Sequence, residues 1–293
     1  MIRCVTLSWL MLLPGCSHTG RQASASLNGA HYVVGDPYQA EGAWYYPQAR
    51  LRYAATGLAT VAPDHPGRTA DGEMFDASAL AAAHQTLQLP AIAIVTNLDN
   101  GRAILVRLND RGPAAPSRLI ALTLHAAALL QAQDGARVRL DLDEAMTHFL
   151  AEQLGGGPKI DMATAPVAEV QAELLALPEG ASQSRRVRQA LSLMLPQPAD
   201  QAAEVTVPAR LPDIVLQTPP EPGRLFIRSS EFGRADYAQR SAARIGGTVE
   251  RVHGGRTDTY RVRAGPYATV SEADAALDLA HHAGVSDARI VIE

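Results

Sequence analysis

The feature that most constrains the fold is a series of short apolar runs between about residues 57 and 142, each closed by Gly, Pro, Asn or Asp. The clearest runs are Ile92–Val95, Ala103–Leu108 and Arg137–Leu142. The step Asn100-Gly101, which favours a tight hairpin, precedes the second run. About six such strands are typical of a small closed barrel. Two alanine-rich segments, Ser78–Ala83 and Leu122–Leu130, are predicted to be short helices.

From Arg224 to the end of the chain the pattern predicts strand, helix, strand, strand, helix and strand, a four-stranded sheet backed by two helices. Ser271 is the predicted cap of the second helix. The predicted strands are Leu225–Ile227, Thr248–Val252, Tyr260–Ala264 and Ala288–Ile292.

Between these two regions the composition changes. Gly155-Gly156-Gly157-Pro158, scattered prolines and Ala/Gln stretches are typical of a linker of low order. A length of 293 residues also favours two domains. We therefore predict a barrel with an N-terminal arm over residues 31–146, a flexible linker over 147–222 and a second domain over 223–293.

The N-terminus has the pattern of a secretory leader. Arg3 precedes a short apolar run that ends in Leu13-Pro14-Gly15-Cys16, which resembles a lipobox. We predict a lipoprotein signal peptide over residues 1–16, a lipidated Cys16 and a tether over 17–30. A plain signal peptide with an incidental cysteine is the alternative. The uncharged Ser17 resembles a sorting signal for the outer membrane.

Charge and cysteine content exclude some classes of protein. The net charge of −4 and the absence of a Lys/Arg run argue against nucleic acid as a partner. The two cysteines, Cys4 and Cys16, both lie in the predicted leader. No disulfide can therefore cross-link the folded domains, and burial of apolar surface must stabilise them.

Two carboxylates stand where a barrel can fix them. Glu73 follows the turn-forming pair Asp71-Gly72, and Asp110 ends an apolar strand before a Gly-Pro turn. Paired carboxylates can divide the acid and base roles that cleavage of a glycosidic bond needs. On spacing alone, a structural Asp110-Arg111 ion pair is as compatible with the pattern as a catalytic Asp110. A histidine placed like His84 is more often satisfied at a helix end than catalytic.

Four segments resemble the rare lipoprotein A family in order and spacing over about ninety residues. They are Thr69-Ala70-Asp71-Gly72-Glu73, Leu80-Ala81-Ala82-Ala83-His84-Gln85-Thr86-Leu87-Gln88-Leu89-Pro90, Val95-Thr96-Asn97-Leu98-Asp99-Asn100-Gly101-Arg102 and Val106-Arg107-Leu108-Asn109-Asp110-Arg111-Gly112-Pro113. The resemblance implies a six-stranded double-psi β-barrel. It also implies an endolytic lytic transglycosylase that cuts peptidoglycan glycan strands between MurNAc and GlcNAc and leaves 1,6-anhydro ends.

The resemblance also assigns roles, with no cofactor and no metal. It implies that Glu73 and Asp110 are catalytic, with Asp110 as general acid and base and Glu73 stabilising charge, although the two roles could be reversed. It makes His84 a groove residue. The substrate-binding residues that we predict are His84, Arg111, Asn109 and Thr69.

The chain departs from the family pattern at three places, one of which is His65-Pro66-Gly67 in place of a Phe-His-Gly-like step. Ala59-Thr60-Val61-Ala62-Pro63 replaces Ala-Ser-Trp-Tyr-Gly, which removes two aromatic side chains that could stack on sugar. Ala121 replaces an aspartate. These departures motivate an alternative hypothesis, a non-catalytic peptidoglycan-binding lipoprotein of cell division.

The C-terminal region resembles the SPOR domain through Arg224-Leu225-Phe226-Ile227 and Tyr260-Arg261-Val262-Arg263-Ala264-Gly265-Pro266-Tyr267. The resemblance implies a ferredoxin-like βαββαβ fold that binds glycan strands stripped of stem peptides at the division septum, near division proteins. The predicted contacts are Phe226, Tyr260, Arg261 and Arg263. The expected location is the periplasmic face of the outer membrane, through the lipid anchor.

Overall fold

The computed structural model describes residues 29–155, 210–254 and 257–293. The first part contains the strands β1 (Tyr38–Ala40), β2 (Ala43–Tyr45), β3 (Ala54–Val61), β4 (Ala81–His84), β5 (Ala91–Asn97), β6 (Arg102–Asp110), β7 (Ile120–Leu122) and β8 (Arg137–Leu142), with the helices α1 (Leu124–Leu130) and α2 (Glu144–Gln153). The rest contains β9 (Leu216–Gln217), β10 (Leu225–Phe232), α3 (Ala235–Ile245), β11 (Thr248–Gly254), β12 (Thr257–Tyr267), α4 (Val270–His282) and β13 (Arg289–Ile292).

Six strands close into the predicted barrel. They pair in the order β4-β7-β3-β8-β5-β6, and β6 pairs again with β4. The pairs β3–β7 and β4–β6 are parallel and the other pairs are antiparallel, so the barrel is mixed. Closure leaves these strands without a free edge, and the interior is filled by fully buried side chains such as Val95, Ile104, Leu108 and Leu140.

One predicted helix is wrong. The alanine-rich segment Ser78–Ala83 contributes to strand β4, which is buried along its whole length between β6 and β7. The small side chains suit that crowded position, and tertiary pairing overrides their helix propensity. The second predicted helix is confirmed as α1, although it starts at Leu124 because the preceding residues form β7.

The linker expected over residues 147–222 is ordered at both ends. Helix α2 continues to Gln153, and the Thr147 hydroxyl bonds to the backbone of Ile92 in the barrel. Near the other end, Leu211 and Leu216 lie in the barrel core, and β9 pairs with β6. Residues 156–209 lie outside the described part of the chain.

The C-terminal region has the predicted ferredoxin-like fold. Its strands lie in the antiparallel order β11-β12-β10-β13, and α3 and α4 pack on the sheet. The predicted cap is wrong by two residues, because Thr269 rather than Ser271 accepts the hydrogen bond from the backbone of Glu272 at the start of α4.

The barrel and the C-terminal domain share an apolar cluster. Leu58 and Leu98 of the barrel are buried among residues of the C-terminal domain that include Leu225 and Leu277. The Thr56 hydroxyl bonds to both the N–H and the carbonyl of Ile292, at 3.0 and 2.8 Å. The barrel thereby covers the outer edge of β13, which would otherwise expose unpaired backbone groups.

The predicted signal peptide, Cys16 and most of the tether lie outside the described residues. Within the part of the chain that the structure describes, no helix combines the length and apolar character needed to cross a bilayer.

Candidate active site

The candidate site lies where the loop of residues 68–75 meets the end of β6. A tight turn forms this loop, because the N–H of Gly72 bonds to the carbonyl of Thr69 and the N–H of Thr69 bonds to the carbonyl of Glu73. Gly72 has φ +94°, and an added Cβ would lie 2.4 Å from the carbonyl oxygen of Gly29. The position therefore requires glycine for both its conformation and its close contact with the arm.

A β-bulge at the end of β6 points two adjacent side chains at this loop. Ala82 of β4 pairs with Leu108, but Ala83 pairs with Asp110, so that Asn109 is the extra residue on β6. Without the bulge, consecutive side chains of a strand would point to opposite faces. Both Asn109 and Asp110 instead bond to the loop of residues 68–75, through Glu73 and Ala70 respectively.

Glu73 is held by two donors. Its Oε1 accepts a hydrogen bond from Nη1 of Arg107 at 2.7 Å, and its Oε2 accepts one from Nδ2 of Asn109 at 2.8 Å. The side chains of Arg107 and Glu73 are only 7% and 14% exposed. This pair is largely shielded from water, and its charge-assisted bonds fix the position of the Glu73 carboxylate.

Asp110 is anchored through one oxygen. Its Oδ1 accepts hydrogen bonds from the backbone N–H groups of Ala70 and Arg111, at 2.9 and 2.8 Å. Its Oδ2 lies 3.7 Å from Nε2 of His65, and the side chain is 24% exposed. Asp110 therefore offers a partly accessible oxygen beside an imidazole, whereas both oxygens of Glu73 are engaged.

Asp71 is a third carboxyl group of this loop and is fully buried. Its Oδ1 accepts hydrogen bonds from the Thr69 hydroxyl and from the N–H of Glu73, while its Oδ2 is buried with no hydrogen-bond partner among the described residues. Burial raises the pKa of Asp71 to about 6, against the lowering effect of the Thr69 bond. Thr69 and Asp71 thus order the turn that carries Glu73.

The structure places His84 in the barrel wall rather than on a sugar-binding surface. The residue is 1% exposed, and its Nδ1 accepts hydrogen bonds from the N–H groups of Thr86 and Leu87. Desolvation lowers the pKa of His84 to about 3, so the ring is neutral at physiological pH. Its interior position corrects the prediction that it binds substrate, and it also ends a strand instead of a helix.

Arg111 is likewise occupied by the protein itself. Its guanidinium donates to the carbonyls of Leu87 and Val34, which clamps the N-terminal arm onto the turn after β4. Asn109 orients Glu73 and Thr69 orients Asp71, as described above. Three of the four predicted substrate-binding residues therefore position the site, and His84 supports the wall behind it.

The predicted sugar-binding residues of the C-terminal domain divide between its two faces. Tyr260 packs with Ala238 and Val262 on the helix side, so its assignment as a glycan contact is corrected. On the opposite face Arg263 lies over the ring of Phe226, 4.6 Å from its centroid. Arg261 pairs with Glu231 on this face. Arg263 also pairs with Glu250 and Glu293.

Sequence reasoning missed three contributors to the site. Arg107 is separated by one residue from Asn109 on β6, and this spacing could have indicated that both face the same carboxylate. Asp71 could have been noticed because it lies in the same turn as Glu73, two residues away. Nothing in the sequence around His65 indicates that its side chain lies near Asp110.

Two of the three places that depart from the family pattern lie close together in the barrel. Ala121 of β7 is buried, pairing with Thr60 of β3 on one side and Ala83 of β4 on the other. Val61 is the last residue of β3 and is partly buried. Among the residues that the structure describes, no cluster of His, Cys, Asp or Glu could hold a metal ion.

A closed six-stranded barrel with carboxylates at a strand end, joined to a ferredoxin-like module, defines a class of two-domain double-psi barrel proteins. Residues 41–141 match the family described as lytic transglycolase, and residues 222–290 match the SPOR domain. The chain belongs to the rare lipoprotein A (RlpA) family. It is 32% identical over 257 residues, 82% of this chain and 71% of the relative, to the endolytic peptidoglycan transglycosylase RlpA of Pseudomonas aeruginosa (strain UCBPP-PA14).

Two further relatives match over shorter stretches. The endolytic peptidoglycan transglycosylase RlpA of Salmonella typhimurium (strain LT2) is 46% identical over 107 residues, 36% of this chain and 28% of that protein. The protein of the same name from Yersinia pestis is 51% identical over 73 residues, 25% of this chain and 20% of its own length.

Proposed function

We propose that this protein is an endolytic peptidoglycan transglycosylase of the cell envelope. It cleaves the bond between MurNAc and GlcNAc and leaves a 1,6-anhydroMurNAc end. The observation that carries this proposal is the pairing of a fixed carboxylate, Glu73 on the loop of residues 68–75, with a partly accessible one, Asp110 at the end of β6, which bonds to that loop. Family membership and the named activity of the relatives support the same reaction.

The hydrogen bonds favour one division of roles. Glu73 accepts a donor on each oxygen, an arrangement that suits a carboxylate anion and that a proton would disrupt. It is suited to stabilise positive charge that develops on the sugar ring. Asp110 has an oxygen free of the backbone contacts, which suits a group that gives up and takes back a proton.

In the proposed reaction Asp110 donates a proton to the bridging oxygen, and the bond from that oxygen to C1 of MurNAc breaks. The C6 hydroxyl of the same MurNAc attacks C1 and returns its proton to Asp110. The products are a GlcNAc with a free 4-hydroxyl and a 1,6-anhydroMurNAc, so that atoms balance without water. Glu73 stabilises the oxocarbenium-like charge between the two steps.

The second domain supports a more specific proposal for the substrate and the location. We propose that the SPOR domain binds glycan strands without stem peptides and concentrates the enzyme at the septum, among division proteins. The proposed contact is the face that carries Arg261 and Arg263, while Phe226 lies beneath Arg263 and is only 6% exposed. Lipidation of Cys16 would hold the protein at the periplasmic face of the outer membrane, with the barrel reaching the wall through the tether.

A second candidate function is that of a non-catalytic peptidoglycan-binding lipoprotein. Val61, Ala62 and Ala121 motivate it, because the family pattern has two aromatic residues and an aspartate there. Ala121 is buried and pairs with Ala83, which itself pairs with Asp110, so a carboxylate at that position would lie on the face of the sheet that carries Asp110.

The test is to incubate the purified full chain with intact and amidase-stripped peptidoglycan and to analyse the products by mass spectrometry. We expect 1,6-anhydro ends, more from the stripped material. We expect Asp110→Asn to lower their rate of formation by at least about a hundredfold, since acid catalysis contributes on that order, and Glu73→Gln to do the same.

Two matched variants serve as controls. Glu144→Gln and Asp99→Asn change carboxylates that form surface ion pairs with Arg52 and Arg137, and they should retain full activity. Retention on stripped glycan without any anhydro product would overturn the transglycosylase proposal and favour the binding lipoprotein.

A further inference from the structure

The N-terminal arm carries a small hairpin that packs beside the candidate site. Strands β1 and β2 pair with Tyr38 opposite Tyr45, whose rings stack at 5.3 Å. The Tyr45 hydroxyl donates to the carbonyl of Ala114 and the Tyr38 hydroxyl donates to the carbonyl of Gln85. The hairpin is therefore fixed to the turn that follows Asp110 and to the turn that follows β4.

Electrostatics place this hairpin near the carboxylate as well. The charges of Arg111 and Asp110 both act on the phenol of Tyr38. Arg111 follows Asp110 in the chain and donates to the carbonyl of Val34, four residues before Tyr38. The segment that leads into the hairpin is thus bonded to the side chain of the residue that follows Asp110.

The outer face of the hairpin is aromatic and exposed. Side chains alternate along a strand, so Trp44 points away from the surface that Tyr45 contacts. Trp44 and Tyr46 are each 58% exposed. In the described part of the chain the remaining exposed aromatic residue is Tyr237, on α3 of the other domain. Trp44 and Tyr46, two residues apart in the chain, therefore remain exposed on the hairpin and directly after it.

We propose that Trp44 and Tyr46 form a sugar-binding platform that extends the active site and holds the glycan strand by stacking. This inference rests on the proposed action on glycan. The C–H face of a pyranose ring can pack flat on an indole or a phenol, which buries apolar surface on both partners. The platform supplies aromatic contacts that the end of β3 lacks, where Val61 and Ala62 stand in place of Trp and Tyr.

The tryptophan content permits a local test. The chain has two tryptophans, Trp9 and Trp44, and none in the C-terminal domain. A change of tryptophan emission that disappears in Trp44→Phe therefore reports binding at the hairpin and is insensitive to binding by the SPOR domain. The full chain carrying Glu73→Gln is titrated with peptide-stripped glycan strands, so that the strands stay intact.

We expect a saturable blue shift of the emission, and no such shift in the Trp44→Phe variant. In the active protein, Trp44→Ala with Tyr46→Ala should raise KM about tenfold while kcat stays within about twofold, as loss of substrate contacts away from the reacting bond requires. Leu124→Ala, which removes an exposed apolar side chain elsewhere on the barrel, should leave KM unchanged.

An unchanged emission spectrum while the protein sediments with the strands would overturn the platform. Anhydro products from the wild type in that case would leave the proposed function intact. A saturable shift without any anhydro product from the wild type would support the platform and overturn the proposed function, because the barrel would then bind glycan without cleaving it. A fall in kcat alone, with KM unchanged, would also contradict the platform.

Discussion

The barrel and the SPOR domain both carry charged side chains where they are expected to meet glycan, but they hold them differently. In the barrel, Glu73 and Arg107 form a pair that is largely shielded from water, and Asp71 beneath them is fully buried. On the SPOR sheet, Arg261 and Arg263 form pairs of which about a third of each side chain is exposed. The difference indicates a rigid site for chemistry and an adaptable surface for binding.

The largest expected effect is a loss of stability when one member of the Glu73–Arg107 ion pair of the barrel is removed. Arg107→Leu leaves the Glu73 charge nearly buried without its guanidinium partner, and we expect a loss of about 3–5 kcal/mol in the free energy of unfolding. Chemical denaturation of the full chain measures it. Arg107→Leu combined with Glu73→Gln should recover part of the loss, because the uncompensated charge is gone.

The matched control is Arg52→Leu, which breaks an ion pair with Glu144 whose arginine is 88% exposed. We expect little change in stability there, because solvent already screens the pair. Equal effects of the Arg52 and Arg107 substitutions would contradict the contrast between buried and exposed pairs.

A somewhat smaller effect should come from Asp71 and should depend on pH. Burial raises its pKa from 3.8 to about 6, so the folded state binds a proton more tightly than the unfolded state. Stability therefore falls as pH rises between about 4 and 6, and it stays lower above that range. Asp71→Asn should stabilise the protein by up to about 3 kcal/mol at pH 8 and by little at pH 4.

The measurement is a series of thermal or urea unfolding curves of both proteins from pH 4 to pH 8. Asp76→Asn is the comparison, because Asp76 is exposed and its bonds to Ser78 lower its pKa, so its removal should not stabilise the protein at pH 8. A stability difference for Asp71→Asn that is the same at every pH would exclude the buried carboxyl as its origin.

The sequence predicts much of this molecule, because the barrel strands and their turns have strong local signals. The order of the motifs alone predicts that Glu73 and Asp110 lie in the same site. The structure agrees, because Glu73 bonds to Asn109, the neighbour of Asp110, and Asp110 bonds to Ala70 in the loop of Glu73. The β4 segment was missed because alanine favours a helix and only its burial between two strands makes it extended. Residues 210–217 look like a linker in the sequence, because the apolar residues that contact Leu211 and Leu216 come from distant parts of the chain and surround them only in the folded barrel.

The barrel and the SPOR domain could unfold separately or as one unit. Leu98 of the barrel is 3% exposed within a cluster made mostly of SPOR residues. Leu98→Ala should cost about 2–3 kcal/mol, near the lower end for a buried leucine, and should lower the midpoint of both domains if they unfold as one unit. Calorimetry of the full chain distinguishes one transition from two. Loss of stability confined to one of two transitions would show that the contact does not couple them.

The smallest effect should come from the exposed SPOR face. Arg261→Gln and Arg263→Gln each remove one partly exposed arginine, and we expect retention on peptide-stripped glycan to weaken only a few fold. The change should shrink at 0.5 M salt if charge is its source, because the Debye length is then under about 8 Å. Arg251→Gln is the control, since Arg251 is opposite Tyr260, which faces the helices.

The test is to measure the affinity of each variant for peptide-stripped glycan by co-sedimentation at two salt concentrations. A loss of a hundredfold or more from Arg263→Gln alone would mean that the SPOR face relies on one fixed contact. It would then resemble the barrel site, where Arg107 holds a single carboxylate, and the contrast between a rigid and an adaptable surface would fail. A few-fold loss that fades with salt is the result expected when many weak contacts share the binding of a long, repetitive ligand.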